Sequence, residues 1–571
     1  MAARPTLGAA RHGSASLAAR SLEAAGRRGP RARWRQLRRV VWSKAALAVL
    51  LLAAVAAGLV GWRATMVQPR SLAPHAALAF RSAAAGAEPL RFEVTGGGSA
   101  SATLSGVTVT RVVRTGSTVE VWLPSGLPQG VYELQLRIDR SLPFGSSSGR
   151  WTVAIDDVAP TLVVDPPPAS VQLGRPLTLT GTMEPGARLS TVDPTGTLFE
   201  FLAGSVTGTT PPLTQPFTLA FPGPPGDTLE VVATDAAGNA TSVAVTLPVV
   251  RPGASKAVQL SRSGWANPTV RAATLALLDR GEIDTVVLDL KDESGAVTFG
   301  TAVALAADIG AVSATAPSLD DAVQELHGHG ARIIGRVVTF SDPRLTRWAW
   351  ANGRPEWVLQ DRTGQPLDAL GGVANYVQQP VREYNLALAE EAARAGIDEI
   401  LWDGLGRPEG DPEEMVVPGL TGTGRTTADM MVEFLGQARA RLRALGVYHG
   451  ASLSPVAATR PENVGQPVDR MAAVVDVIAP RLFPSSLEAG ECGLTAPATR
   501  PAEAVTCLAG PFQAQLAGTA AVLMPWVPDG TVDGVVYGPA EVTAQIQAAA
   551  ALATGGYVRF NPASRYDQLG G

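Results

Sequence analysis

From about residue 257 onward, strand-like apolar runs alternate with helical stretches, and this alternation limits the fold more than any other feature of the chain. The runs are "AVQL", "TVVLDL", "RIIGRVV", "EILWD", "YHGASLS", "VVDVIAPRL", "AVLMPWV" and "GYVRFN". Strands joined through helices lie parallel, and eight such units fit a closed (β/α)8 TIM barrel. An open doubly wound sheet fits less well, because no glycine-rich phosphate loop follows the first strand. Helix ends are legible between the runs. Asn267 with Pro268 reads as an N-cap followed by proline at the first helical position, closed by Gly281. Ser318 with Asp321 resembles a capping box with Asp in place of Glu, in a helix that ends at Gly330. Met431, Phe434, Leu435, Ala438 and Leu442 form one apolar stripe before Gly446, and Pro539 opens a helix that ends near Gly555.

The preceding segment has a different period. Between about residues 76 and 250, short alternating strands such as "TVEVWL", "VYELQLRI" and "TLEVVATD" recur among Gly, Pro and Ser, which predicts antiparallel sandwiches. The length suits two of them, joined near "DDVAPTLVVDPPPA". The second closes with "DTLEVVATDAAGNATSVAVTLPVV", which resembles the last hairpin of bacterial immunoglobulin-like modules, with Asp235 to Asn239 as its turn. "GSSSG" at Gly145 to Gly149 has the GxSxG spacing of a nucleophile elbow. That device needs a strand before it and a helix after it, so the segment is read as a loop.

Of 571 residues, 46% are hydrophobic and 17% charged, which is far from the composition of a disordered chain. The net charge of −4 conceals an asymmetry, because arginine crowds into "RRGPRARWRQLRRVVWSK" near the N-terminus. The uncharged apolar run Ala45 to Trp62 follows, flanked by Trp42 and Trp62. A run of about 18 residues is just long enough to span a membrane as a helix. Its basic flank lies on the N-terminal side, which places the N-terminus in the cytoplasm and the rest outside. A cleaved signal peptide is the alternative, and either reading exports the remainder. The basic run is thereby explained by topology, and no nucleic-acid partner is expected. Cys492 and Cys507 are the two cysteines, both in the exported part, and are expected to form a disulfide, with two free thiols as the alternative. The chain then divides into a basic cytoplasmic tail (1–44), a transmembrane helix (45–62), a linker (63–75), a β-sandwich module (76–157), an immunoglobulin-like β-sandwich (158–250) and the barrel (251–571).

Barrel active sites lie at the C-terminal ends of the strands. That rule selects Asp403 after strand four, Asp289, Lys291 and Asp292 after strand two, and Arg336 and Asp342 in and after strand three. It also selects Arg481 after strand six, Trp526 and Asp529 after strand seven, and Asn561 after strand eight. Glu399 opens its strand and belongs to the opposite face, where a structural ion pair is expected. Glu409 and Asp411 read as solvated loop charges. His12 and His75 precede the folded modules, and His327, His329 and His449 offer no i, i+4 pair, so no metal site is expected. No cofactor motif and no serine or cysteine triad is legible.

"TVVLDLKDESGAVTFG", "RIIGRVVTFSDPRL", "PVREYNLALAEEAARAGIDEILWD", "VVDVIAPRLFPSS" and "YGPAEVTAQIQAAAALATGGYVRFNPASRY" resemble, in order, blocks of the putative glycoside hydrolase domain family, a bacterial (β/α)8 group. The resemblance runs from about residue 257 to 567. It implies a glycosidase, whose chemistry needs two carboxyl groups. One protonates the leaving oxygen; the other attacks the anomeric carbon or activates water, at about 5 Å for retention or 6.5–9.5 Å for inversion. Asp403 matches the aspartate ending the family's fourth strand and is the expected nucleophile or base. Asp289 and Asp292, in "LDLKDESG", are candidates for the second carboxyl, although Lys291 beside them would lower their pKa values and suit them better to binding. Lys291, Arg336, Asp342, Arg481, Trp526 and Asn561 are expected to bind substrate. Trp526 would do so by stacking on a sugar ring, with Trp402, Tyr376 and Phe560 as further aromatic candidates.

Two blocks depart from the family. Where it reads Asp-Tyr-Val-Arg-Phe-Pro after the fourth strand, this chain has "DGLGRP". Where the fifth strand commonly carries an aspartate, "GASLSPVA" has Ser452 and Ser454. Serine cannot protonate a glycosidic oxygen at neutral pH, so the second carboxyl comes from elsewhere or is absent. Arg481 and Arg559 replace apolar family residues and suit either an anionic sugar or an internal carboxylate. The expected protein is a membrane-anchored, extracytoplasmic glycoside hydrolase acting on an envelope or extracellular polysaccharide. The alternative is an inactive glycan-binding or envelope-organising protein on the same barrel.

Overall fold

The computed structural model describes residues 46–59, 69–71, 78–95, 98–140, 145–192, 198–201, 214–224, 226–408, 411–420 and 422–566. Residues 46–59 are helical and exposed along their whole length. Among the described residues no helix is long and apolar enough to cross a membrane. The ends of the expected span, the basic tail, most of the linker and Glu409 lie outside the described residues.

The chain divides into two compact units, Met1–Ile155 and Asp156–Gly571. In the first, a four-stranded sheet containing Leu90–Glu93 and Thr118–Trp122 faces a five-stranded sheet containing Gly130–Arg140 and Gly145–Ile155. Phe92, Val119, Leu134, Leu136 and Val153 fill the space between them, as inward residues at period two. The segment Gly145–Gly149 is not a loop. It starts the long strand Gly145–Ile155, with Ser146, Ser147 and Ser148 opposite Asp139, Ile138 and Arg137, because ladder pairing satisfies backbone groups that a loop would leave to water.

The second unit opens with another pair of sheets, of three and four strands, around Leu179, Met183, Leu219, Val231 and Ala233. Its last two strands, Thr228–Thr234 and Ala240–Thr246, are antiparallel. In the turn between them, Asn239 donates from its backbone and its side chain to Asp235, at 2.9 and 2.8 Å.

Eight parallel strands follow: β1 (Ser255–Leu260), β2 (Thr285–Lys291), β3 (Arg332–Val338), β4 (Glu399–Asp403), β5 (Tyr448–Leu453), β6 (Val477–Pro480), β7 in two pieces (Val522–Leu523 and Trp526–Pro528) and β8 (Gly556–Phe560). The first piece of β7 pairs with β6 and the second with β8, which itself pairs with β1. The bridge between Arg481 and Trp526 ties the second piece back to β6 as well. The sheet therefore closes into a barrel. Pro525 marks the break in β7, since proline lacks the N–H a central strand needs.

Each connection between successive strands carries a helix outside the sheet, among further helical segments: α1 (Pro268–Asp279), α2 (Leu319–Gly328), α3 (Gln379–Arg394), α4 (Thr427–Ala444), α5 (Val468–Ala472), α6 (Pro501–Leu516) and α7 (Pro539–Leu552). Asn267 caps α1 by accepting from the backbone of Thr269 and Val270. Ser318 caps α2 through Asp321 N, while Thr426 and Asp429 form a complete reciprocal capping box on α4. Cys492 and Cys507 form a disulfide that ties the loop after β6 to α6, and no free cysteine remains.

Side chains alternate along the barrel strands, except where β2 shifts register between Asp289 and Lys291. Val286, Leu288, Ile333, Val337, Ile400 and Trp402 face the helices, in the large outer core. Ala257, Val287, Ile334, Leu401, Val477, Trp526 and Val558 fill the barrel interior. With the period of two, the next inward positions toward the C-terminal mouth are Gln259, Asp289, Arg336, Asp403 and Phe560.

The opposite mouth carries the second sandwich. Tyr448 Oη donates to Val250 O and accepts from Leu173 N, both at 2.9 Å. Asp227 accepts from Arg439 at 2.6 Å and Arg443 at 2.9 Å, and Arg443 also pairs with Asp476. Glu399 is fully buried between Arg251 and Arg332, each at 2.7 Å. Burial pushes its pKa up, but the two guanidiniums outweigh it and hold the carboxyl below its ordinary value. The sandwich thus docks at the N-terminal ends of the strands, away from the C-terminal mouth.

Candidate active site

A cavity of about 360 Å³ occupies that mouth, lined by Gln259, Asp289, Glu293, Arg336, Asp403, Arg481 and Phe560 among others. Arg336 is its centre. From an inward position on β3 its Nε donates to Asp403 Oδ2 at 2.7 Å and one terminal nitrogen to Asp289 Oδ1 at 2.9 Å. The other terminal nitrogen lies 3.5 Å from Glu293, whose side chain is largely exposed at the rim. Arg481 also donates to Asp403 Oδ2, and Gly404 N donates to Oδ1 at 2.8 Å. Asp289 Oδ2 accepts from the Gln259 amide at 2.8 Å. Asp289, Arg336 and Asp403 are all buried.

These surroundings separate the two aspartates. At Asp403 burial favours the neutral acid, but Arg481 and Arg336 outweigh it, and the carboxyl is held well below the ordinary carboxylate range. At Asp289 burial is the larger effect, and it raises the pKa above the ordinary value although Arg336 and Gln259 oppose it. Arg336, facing both carboxylates, is held charged more firmly than a free guanidinium, although burial works against this. One guanidinium spans the gap, so the facing oxygens of Asp289 and Asp403 lie no more than roughly 8 Å apart, inside the outer limit at which paired carboxyls act on a glycosidic bond.

The strand-end rule gathers Asp289, Arg336, Asp403 and Arg481 into this cavity and leaves the other expected residues outside it. Lys291 points outward to α3, fully buried, donating to Asp342 at 2.8 Å, Asn385 at 2.7 Å and Thr339 O at 3.1 Å. Burial lowers its pKa. Asp342, also fully buried, uses its other oxygen to cap the helix Pro343–Ala351. The expected substrate-binding role of Lys291 and Asp342 is thus replaced by a structural ion pair behind the sheet. Asp292 closes the turn after β2, accepting from Ser294 and Ala296 and pairing with Arg262 at 2.8 Å. Burial works against ionisation there, but these partners together keep its pKa below the ordinary value.

Trp526 is not a sugar platform. It is 1% exposed beneath Phe560, ring centroids 6.1 Å apart, and Phe560 lines the cavity in its place. Trp402 and Tyr376 are buried on the helix side of the sheet, against Phe434 and Phe340. Asn561 organises the loop after β8, accepting from Ala563 N and donating to Arg565 O. Arg559 pairs with the internal carboxylate of Asp529, both buried. Asp411 is exposed and accepts from Glu413 N.

Gln259 and Glu293 were not among the sequence candidates. Their signals were present, since Gln259 ends "AVQL" and Glu293 follows Asp292 in "LDLKDESG". Ser452, in place of the fifth-strand aspartate, is buried with no hydrogen-bond partner for its hydroxyl among the described residues. His449 is buried in β5 against Val474 O, and burial with Arg443 and Arg439 pushes its pKa down to about 3. Among the described residues no group of three His, Cys, Asp or Glu side chains is placed to hold a metal ion.

A closed parallel barrel with paired carboxyl groups and an aromatic at its C-terminal mouth is an arrangement that glycosyl hydrolase-like barrel domains share. Residues 257–566 match the model of the family described as "Putative glycosyl hydrolase domain", and the chain belongs to that family. No curated protein matches the chain. A similar solved structure is a hypothetical protein from Ruminiclostridium thermocellum ATCC 27405, with 25% identity over 34% of this chain and 96% of that one, TM-score 0.30. Another is the PgaB (BpsB) glycoside hydrolase domain from Bordetella bronchiseptica, with 12% identity over 55% and 95%, TM-score 0.39. A third is an endo-1,4-beta-D-mannanase from Thermotoga petrophila RKU-1, with 10% identity over 54% and 87%, TM-score 0.36.

Proposed function

We propose that this protein hydrolyses glycosidic bonds in an envelope or extracellular polysaccharide, with Asp403 as nucleophile or base and Asp289 as the proton donor. The observation that carries the reading is that both carboxyls face one cavity while their environments push their protonation apart. Asp289 from β2 then supplies the acid that β5 lacks. The apolar run 45–62 with its basic N-terminal flank supports a membrane anchor with the modules outside, and the disulfide fits an oxidising compartment. The β modules would act as spacers, the second resembling immunoglobulin-like units.

The arginine clamp on both aspartates favours a second reading, in which the cavity holds a glycan without cutting it. Incubating the full chain, Asp403→Asn and Asp289→Asn with a panel of envelope and extracellular polysaccharides separates the two. Reducing ends released by the wild type and lost in both variants establish the hydrolase. Binding without release of reducing ends in all three proteins establishes the lectin-like alternative.

A further inference from the structure

A second cavity, of about 390 Å³, adjoins the first and is lined by cationic but no acidic side chains. Arg262 and Arg344 line it together with Thr298 and Trp265. Thr298 is buried, and among the described residues neither its hydroxyl nor the buried Nε of Arg344 has a hydrogen-bond partner. Arg344 spends one terminal nitrogen on Gly310 O, at 2.8 Å. Arg262 spends its Nε on Asp292, and its half-exposed guanidinium has no other partner among the described residues. Three loops connect the two cavities. Ser261, Glu293 and Ser341 line the carboxylate cavity, and Arg262, Ala296 and Arg344, one to three residues further along the same loops, line this one.

We propose that this second cavity is a subsite for an anionic sugar unit of the glycan, its charge carried by a carboxylate or a phosphate group. The inference rests on the proposed glycan-binding role of the neighbouring cavity and names the substrate class more narrowly. Two guanidiniums with open donors recognise a planar or tetrahedral oxyanion by charge-assisted, geometrically selective hydrogen bonds. The Thr298 hydroxyl adds a neutral donor, and Trp265 gives the ring an apolar wall. A neutral sugar would leave these donors unmatched. In the carboxylate cavity Arg336 and Arg481 are already paired with Asp289 and Asp403, so the open donors for an anionic unit lie in the second cavity, and a chain crossing both is held in one register.

D-Glucuronate, D-glucose 6-phosphate and D-glucose, titrated into the full chain and followed by NMR, test the assignment. The charged sugars are expected to bind at least about tenfold more tightly than glucose, and the tighter of the two identifies the charge carrier. The preference is expected to disappear in Arg262→Gln/Arg344→Gln, weaken in Thr298→Val and persist in Asp403→Asn. Equal binding of charged and neutral sugars by the wild type, which needs no variant to fold, overturns the proposal. So does a preference that survives the double substitution in a protein of unchanged melting temperature. A glycan cleaved or bound through Asp403 without any charge preference leaves the main site standing and removes the subsite. A charge preference lost with the two arginines, in a protein with no Asp403-dependent glycan binding, supports the anion cavity and removes the proposed function instead.

Discussion

Asp289 and Asp403 occupy matching inward positions on β2 and β4, share one guanidinium, and differ in what else reaches them. Asp403 has a second arginine; Asp289 has only a neutral amide. A general acid must hold its proton and a nucleophile must lack one, so the rate should be highest between the two pKa values. As pH rises through the elevated pKa of Asp289 the rate should fall, and Asp289→Asn should abolish that alkaline limb while lowering kcat by about 10²–10⁴-fold. The pH profile of kcat/KM for the two proteins checks this. Stability follows the opposite signs. The contribution of Asp403 is present above its ordinary unfolded pKa and disappears as pH falls toward its depressed folded value, whereas that of Asp289 is full below its unfolded pKa and is lost as pH rises through its raised folded one. Strand-end position made Asp289, Arg336, Asp403 and Arg481 legible in the sequence. It did not separate them from Trp526, because the rule gives height along the barrel axis and says nothing about how much side chain lies above.

At the level of single elements, the largest departure from expectation comes from one irregularity in β2. Asp289 and Lys291 are two residues apart and would share a face of a regular strand. The register against β3 shifts between them, so Lys291 lies beside Val337, an outward residue, and turns to α3. No spacing in "LDLKDESG" announces this, since a bulge depends on the partner strand as much as on its own sequence. Lys291→Met should therefore leave Asp342 buried without its cation and cost about 3–5 kcal/mol of stability in urea unfolding. The folded variant should bind glycan with unchanged affinity. The disulfide is the opposite case, legible from two cysteines alone because there was one way to pair them. It closes a loop of 15 residues, so replacing both cysteines with serine should lower stability by up to about 3 kcal/mol, measured by the same unfolding experiment without reductant.

Across the whole molecule, the alternation of strands and helices announced the barrel, and the period-two strands announced β modules before it. What the pattern could not show is that the second module and the barrel share buried contacts. Glu399, expected to form a structural ion pair, does so with Arg251 at that joint, and Tyr448 and Arg443, which no sequence pattern singled out, close further contacts there. Arg251, just past the sandwich, reaches Glu399 with its side chain almost fully buried, and Asp227 holds two arginines of α4. A chain cut at residue 251 would leave Tyr448 and Arg443 without these partners, so activity measurements belong on the longer chain. If the contacts couple the two modules, the amides of Thr228–Thr234 and of β5 should exchange with solvent deuterium through one common opening. Asp227→Ala should lower the free energy of that opening by about 1.5–3 kcal/mol, the range for hydrogen bonds to a charged group. Exchange of the sandwich in a separate, easier opening that Asp227→Ala does not change would mean that the barrel holds its C-terminal mouth without help from the module behind it.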